Sequence, residues 1–173
     1  GAAGKPPQKR GASAPARPER KQREPSGLSA RRLAVSCLAS ILDAGRPLDE
    51  AFDAAAAKAP DIEPRDRALA RLIVLTALRR KGELEAVIRS FLEKPLPADT
   101  GALPHILLVA AAQLLALDTP PHAAISLAVD QTRLDRKARR FDKLTNAVLR
   151  RVGRYPCGTM GMPTATVRLI GPD

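Results

Sequence analysis

From Leu28 to about Val152 the apolar residues of this 173-residue chain recur every three or four positions, the spacing that lines one face of a helix. Ser29 is placed to cap a first helix reaching about Ala44, with Val35, Leu38, Ile41 and Leu42 in register and Gly45 to end it. A second helix starts near Pro47, turns Leu48, Ala51, Phe52 and Ala55 inward, and closes at Pro60. The third opens at Pro64. Its Ala68, Leu69, Leu72, Ile73, Leu75, Thr76 and Leu78 make a face broad enough for a central helix, broken at Gly82. Leu84, Val87, Ile88, Phe91 and Leu92 form a shorter fourth, stopped by Pro95 and Pro97. Thr100 can cap a fifth, whose "ILLVAAAQLLAL" is apolar on nearly every side and must be enclosed by the others. A sixth carries Ile125, Leu127, Ala128 and Val129 as far as Leu134, and a seventh spans roughly Ala138 to Val152.

The pattern predicts an all-α fold, an orthogonal bundle of about seven helices over residues 28–154, without the self-similar period of a solenoid. Residues 1–27 are rich in Gly, Ala, Pro, Lys and Arg and lack apolar periodicity, so they are expected to form a disordered basic arm. Residues 155–173 lose the periodicity again and read as an irregular tail or linker. With 45% hydrophobic but only 2% aromatic residues and no Trp, the core must be aliphatic. No apolar run approaches the roughly 20 residues of a membrane span, and no signal-peptide core follows the basic start, so a cytoplasmic protein with no membrane partner is expected. Cys37 and Cys157, with only His105 and His122 beside them, show no metal-ligand spacing; Cys37 reads as a small core residue.

Charge adds direction. Residues 1–32 hold nine Lys/Arg against Glu19 and Glu24, and residues 133–154 hold nine against Asp135 and Asp142. The two blocks exceed the whole net charge of +11, leaving a mildly acidic body between them. Such segregation points to a polyanion, with nucleic acid ahead of an acidic membrane surface. At 100° per residue, Phe141, Leu144, Thr145, Val148, Leu149 and Val152 share one arc of the seventh helix. Arg136, Arg139, Lys143, Arg150 and Arg154 crowd the opposite arc, with Arg140 and Arg151 at its margin. Those cations, and Arg31 and Arg32 at the start of the first helix, are the candidate nucleic-acid-binding residues, because Lys and Arg on one face neutralise phosphates and release counterions. The three Phe residues read as core, so base recognition by aromatic stacking is not expected of this module.

Other polar residues read as scaffold. Arg65 and Arg67, at the unfavourable end of a helix dipole, should pair with Asp61, Glu63 or a neighbouring helix. His105 and His122 read as hydrogen-bonded structural or capping groups, without a nucleophile or acid to make either catalytic. Within "KLTNAVLRRV", Thr145 points inward and Asn146 lies at the border, where it could bond loose backbone groups in the turn before the sixth helix.

"RDRA" at 65–68, "PPHAA" at 120–124 and "NAVLRR" at 146–151, in this order and helical setting, resemble the NusB-like domain at the N-terminus of bacterial ribosomal RNA cytosine-5 methyltransferases. The resemblance spans about residues 29–154. It implies a NusB-like bundle that binds ribosomal RNA, or alternatively docks on a protein partner such as the catalytic domain of its parent protein. It also implies that S-adenosylmethionine belongs to that absent catalytic domain, no cofactor and no catalytic residue being expected in this chain. The "YPCGTMG" stretch at 155–161 lacks the preceding hydrophobic strand of the family's Pro-Cys catalytic segment.

Overall fold

The computed structural model describes Gly1 and residues 27–156. The described residues form helices α1 (Leu28–Leu42), α2 (Leu48–Ala57), α3 (Pro64–Arg79), α4 (Lys81–Ser90), α5 (Leu103–Ala116), α6 (Pro121–Leu134) and α7 (Asp142–Gly153), with a single 3₁₀ turn at Arg139–Phe141 before α7. No strand occurs among them. The regions assigned to the basic arm and most of the tail lie outside the described residues.

α5 is the axis of the bundle. It packs against α1, α3, α4, α6 and α7, and Leu103 and every residue from His105 to Gln113 are buried. A helix apolar all round can be satisfied only in such a position. α3, expected to be central from its broad apolar face, instead buries only the stripe Ala70, Ile73, Val74 and Ala77 against α1 and α5, and Leu72 stays 49% exposed. The core is aliphatic apart from the buried Phe52. Enclosing each large aliphatic side chain contributes roughly 1.5–3 kcal/mol. Cys37 is fully buried in this core, and burial pushes its thiol up to about 11 against the opposing influence of Arg71.

Several helix ends are set by distant contacts rather than local caps. Gly27, not Ser29, precedes α1, with a left-handed φ of 84°. A Cβ there would run into the guanidinium of Arg31. Thr100 does not cap α5; it is buried one turn earlier, before Gly101 at φ 58°. The free N–H of Ala102 at the head of α5 donates instead to Asp135 Oδ2 at 3.2 Å, across 33 residues. Asp135 Oδ1 accepts from the backbone N–H groups of Lys137 and Ala138 at 2.9 and 2.8 Å. One carboxylate thus ends α6, starts α5 and turns the chain toward α7. Tyr155, placed in the tail by its loss of periodicity, packs edge-on to Phe91 with ring centroids 6.3 Å apart.

The arginines opening α3 are paired as their helix position predicts: Arg65 with Glu63, and Arg67 and Arg71 with Asp53 and Asp49 of α2. Arg67 and Arg71 also lie over the Phe52 ring, 5.6 and 5.4 Å from its centroid. His105 Nε2 meets Asp43 Oδ2 at 2.9 Å, tying α5 to the end of α1.

Candidate nucleic-acid interface

α6 and α7 form the most extensive helix pair of the bundle and carry the basic segment. The pairing is locked from inside by two buried threonines. Thr132 Oγ1 donates to Ala128 O at 2.8 Å, Thr145 Oγ1 donates to Phe141 O at 2.9 Å, and the two hydroxyl oxygens lie 3.3 Å apart. Val148, Leu149 and Val152 complete the buried stripe of α7. With that stripe fixed inward, the opposite side of the helix must face solvent.

The cations on that side divide into three groups. Arg133 is paired with Asp142 at 3.1 Å and Lys137 with Asp99 at 2.8 Å. The hydrogen bond from Arg133 holds the Asp142 carboxyl below its ordinary range, with the backbone N–H of Lys143 assisting. Arg140 and Arg151 lie over aromatic rings, 4.7 Å from the Phe141 centroid and 5.1 Å from that of Phe91. Arg136, Arg139, Lys143, Arg150 and Arg154 are exposed and carry no ion pair among the described residues. Lys143 and Arg150 line an open groove of about 570 Å³ between α6 and α7 together with His122, Ser126, Asp130 and Asn146.

Four expectations are corrected here. α7 begins at Asp142, so Arg136, Arg139 and Arg140 stand on the turn and 3₁₀ segment before it, not on the arc that a helix from Ala138 would give them. Arg31 is not a surface cation. It is 8% exposed, its Nε donates to Gln113 Oε1 at 2.9 Å, and its terminal nitrogen donates to Gly27 O at 2.9 Å. Burial lowers its pKa, opposed by Asp66. Arg31 is therefore removed from the candidate surface, because its side chain is buried and hydrogen-bonded inside the protein. His122 does not cap α6, whose N-cap is Pro120; it is exposed at the groove. Asn146 makes no hydrogen bond to the turn before α6; its half-buried side chain lines the groove.

Arg32 remains exposed, but on α1, where it lines clefts with Ser36 and belongs to neither groove beside α7. The structure thus gathers Lys143, Arg150 and Asn146, adds His122, and separates them from the α1 end. Sequence reading missed Gln113 as the partner of Arg31 and the placement of Arg67 and Arg71 over Phe52, Arg140 over Phe141 and Arg151 over Phe91. Gln113 was detectable as the one polar residue in the apolar run of α5. Among the described residues no strand leads into a glycine-rich turn and helix.

These features define a small helical domain with an exposed cationic flank along its last helix. The chain belongs to the NusB family, whose model matches residues 28–154. It is 38% identical over 129 residues to ribosomal RNA small subunit methyltransferase B of Xanthomonas campestris, covering 75% of this chain and 29% of that protein. The corresponding protein of Vibrio cholerae is 34% identical over 127 residues, covering 73% and 28%. The chain therefore spans less than a third of the length of these relatives. A chain in the crystal structure of antitermination factors NusB and NusE in complex with dsRNA has the same fold, with a TM-score of 0.64 at 23% identity over 75% of this chain and 96% of that one. A chain in the crystal structure of a plectonemic RNA supercoil gives 0.65 at 21% identity, over 72% and 91%.

Proposed function

We propose that this domain is a non-catalytic RNA-binding module that positions ribosomal RNA for S-adenosylmethionine-dependent cytosine-5 methyl transfer, the chemistry being performed by sequence outside this chain. The observation that carries the reading is the set of exposed cations Arg136, Arg139, Lys143, Arg150 and Arg154, left without acidic partners among the described residues. An unpaired surface cation can exchange small counterions for phosphates, whereas one already paired must first give up its partner. The relatives named as ribosomal RNA methyltransferases supply the RNA class, and their greater length supplies room for a catalytic part.

The test is binding of a small-subunit ribosomal RNA fragment, followed by fluorescence anisotropy across a salt series. Reversing Arg139, Lys143 and Arg150 together to Glu is expected to weaken binding by on the order of 100-fold at 0.1 M salt and to flatten the salt slope. Unchanged affinity in the folded triple variant would sink the reading.

A second reading, docking on the catalytic part of the parent protein, is favoured by a separate apolar groove lined by Val35, Ala39, Ile106 and Leu134. Leu134 is 65% exposed there, and the buried Gln131 Nε2 finds no partner among the described residues. Loss of association with that catalytic part in Leu134→Glu, with RNA affinity intact, would support it.

A further inference from the structure

We propose that two copies of this chain associate through the cleft between α1 and α6, an inference that goes beyond RNA binding and gives this patch a partner of its own. Leu134, at the end of α6, is the most exposed large hydrophobic residue among those described, at 65%. It stands on the rim of an open cleft of about 290 Å³ whose apolar walls include Val35 and Ala39 of α1 and Ile106 of α5. A single exposed leucine is ordinary. One beside an aliphatic cleft is a knob next to a hole.

The patch is complementary to itself in shape, charge and hydrogen bonding. Knob and hole lie on one surface, so a two-fold axis through the rim lets Leu134 of each copy enter the cleft of the other, the isologous contact of closed homodimers. The walls carry opposite charges, Arg32 on α1 and Asp135 just after α6. The same axis turns the cation of one copy towards the anion of the other. Gln131, only 6% exposed on the cleft lining, leaves its Nε2 without an acceptor among the described residues. An amide has both a donor and an acceptor, so two Gln131 side chains turned into the cleft across the axis bond each other reciprocally. A buried N–H that finds its acceptor only in the pair favours the pair over the single chain.

These features select a second copy over other occupants. One cation and one anion give a polyanion no net attraction here, in contrast to the flank of α7. The catalytic part of the second reading would need a matching knob of its own, whereas a second copy already carries one. Gln131, Leu134 and Asp135 also lie on a different side of α6 from Ser126, Asp130 and Arg133, which line the groove of Lys143 and Arg150. Pairing therefore leaves that groove open.

The experiment is sedimentation equilibrium of the full chain from about 1 µM to about 1 mM, which reaches the weak end of specific association. Wild type is expected to pass from the mass of one chain to twice that mass. Leu134→Glu brings a charge to both clefts and should weaken pairing by on the order of 100-fold. Leu72→Glu, at the other exposed leucine, should leave it unchanged. Gln131→Leu should weaken pairing about tenfold and raise the unfolding temperature of the dilute chain, because the single chain loses an unpaired donor and the pair loses the bond that satisfies it. A single-chain mass throughout overturns the proposal, as does a pair that survives Leu134→Glu or falls to Leu72→Glu. A wild type that stays single, while Leu134→Glu loses association with the catalytic part, gives the cleft to that part and overturns the proposal too.

Discussion

Two helices of this chain, the first and the last, bring basic residues to the bundle, and those residues have opposite fates. At the start of α1, Arg31 turns inward and bonds Gln113 and Gly27, closing the bundle around α5. Along and just after α7, Lys143, Arg150 and Arg154 stay outside with no ion pair among the described residues, because the apolar stripe of the helix already satisfies the core. The same residue type is architecture in one place and a candidate contact surface in the other. Charge counts along the chain cannot distinguish the two; the direction of each side chain can.

The comparison is broken most forcefully at Arg31. Replacement by Met leaves the Gln113 carbonyl oxygen buried without its donor, and a stability loss of about 2–3 kcal/mol is expected in urea unfolding. RNA affinity of the folded fraction should match wild type. A stable Arg31→Met protein with weakened RNA binding would reverse the roles assigned to the two ends.

Within α7 the contrast repeats between neighbours. Thr145→Val removes a buried hydroxyl that bonds Phe141 O and is expected to cost about 1 kcal/mol, whereas Asn146→Ala should change stability by less than about 0.5 kcal/mol. Their ranking in RNA binding should invert, with Asn146→Ala the weaker binder. Thermal unfolding and anisotropy on the same samples check both halves.

The smallest effect concerns the boundary between paired and unpaired cations. Asp142 has a carboxyl pKa lowered in the fold, chiefly by the hydrogen bond from Arg133. Its contribution is therefore present above the unfolded carboxyl pKa and lost as pH falls through the lowered folded value. Asp142→Asn should unfold at a slightly lower temperature than wild type at neutral pH, and the gap should shrink on acidification below about pH 4. A gap that persists in acid would remove the ion pair as its cause.

Much of this was legible in the residue order. Pro47, Pro60, Pro64, Pro95, Pro97 and Pro121 punctuate the helices where their missing N–H and fixed φ require, and the run of α5, apolar but for Gln113, could only be an axis. Arg31 was legible in principle. It shares a helical face with Ala34 and Leu38, both fully buried, so its register already pointed inward. The start of α7 was not legible, because Asp135 bonds Ala102 through space and winds residues 135–141 into a turn and 3₁₀ segment that periodicity reads as continuous helix. Phe91 and Phe141 fell on apolar arcs and do pack against the core, but each lies at a helix end, half-buried on an open groove.

By itself the sequence determined the helices, their aliphatic core and the two ends at which positive charge collects, since these follow from local spacing and composition. Only the tertiary structure decided which cations are spent on the protein and which remain for a ligand. Pairing, burial and ring stacking depend on groups as far apart as Arg31 and Gln113, whose meeting no local rule along the chain encodes.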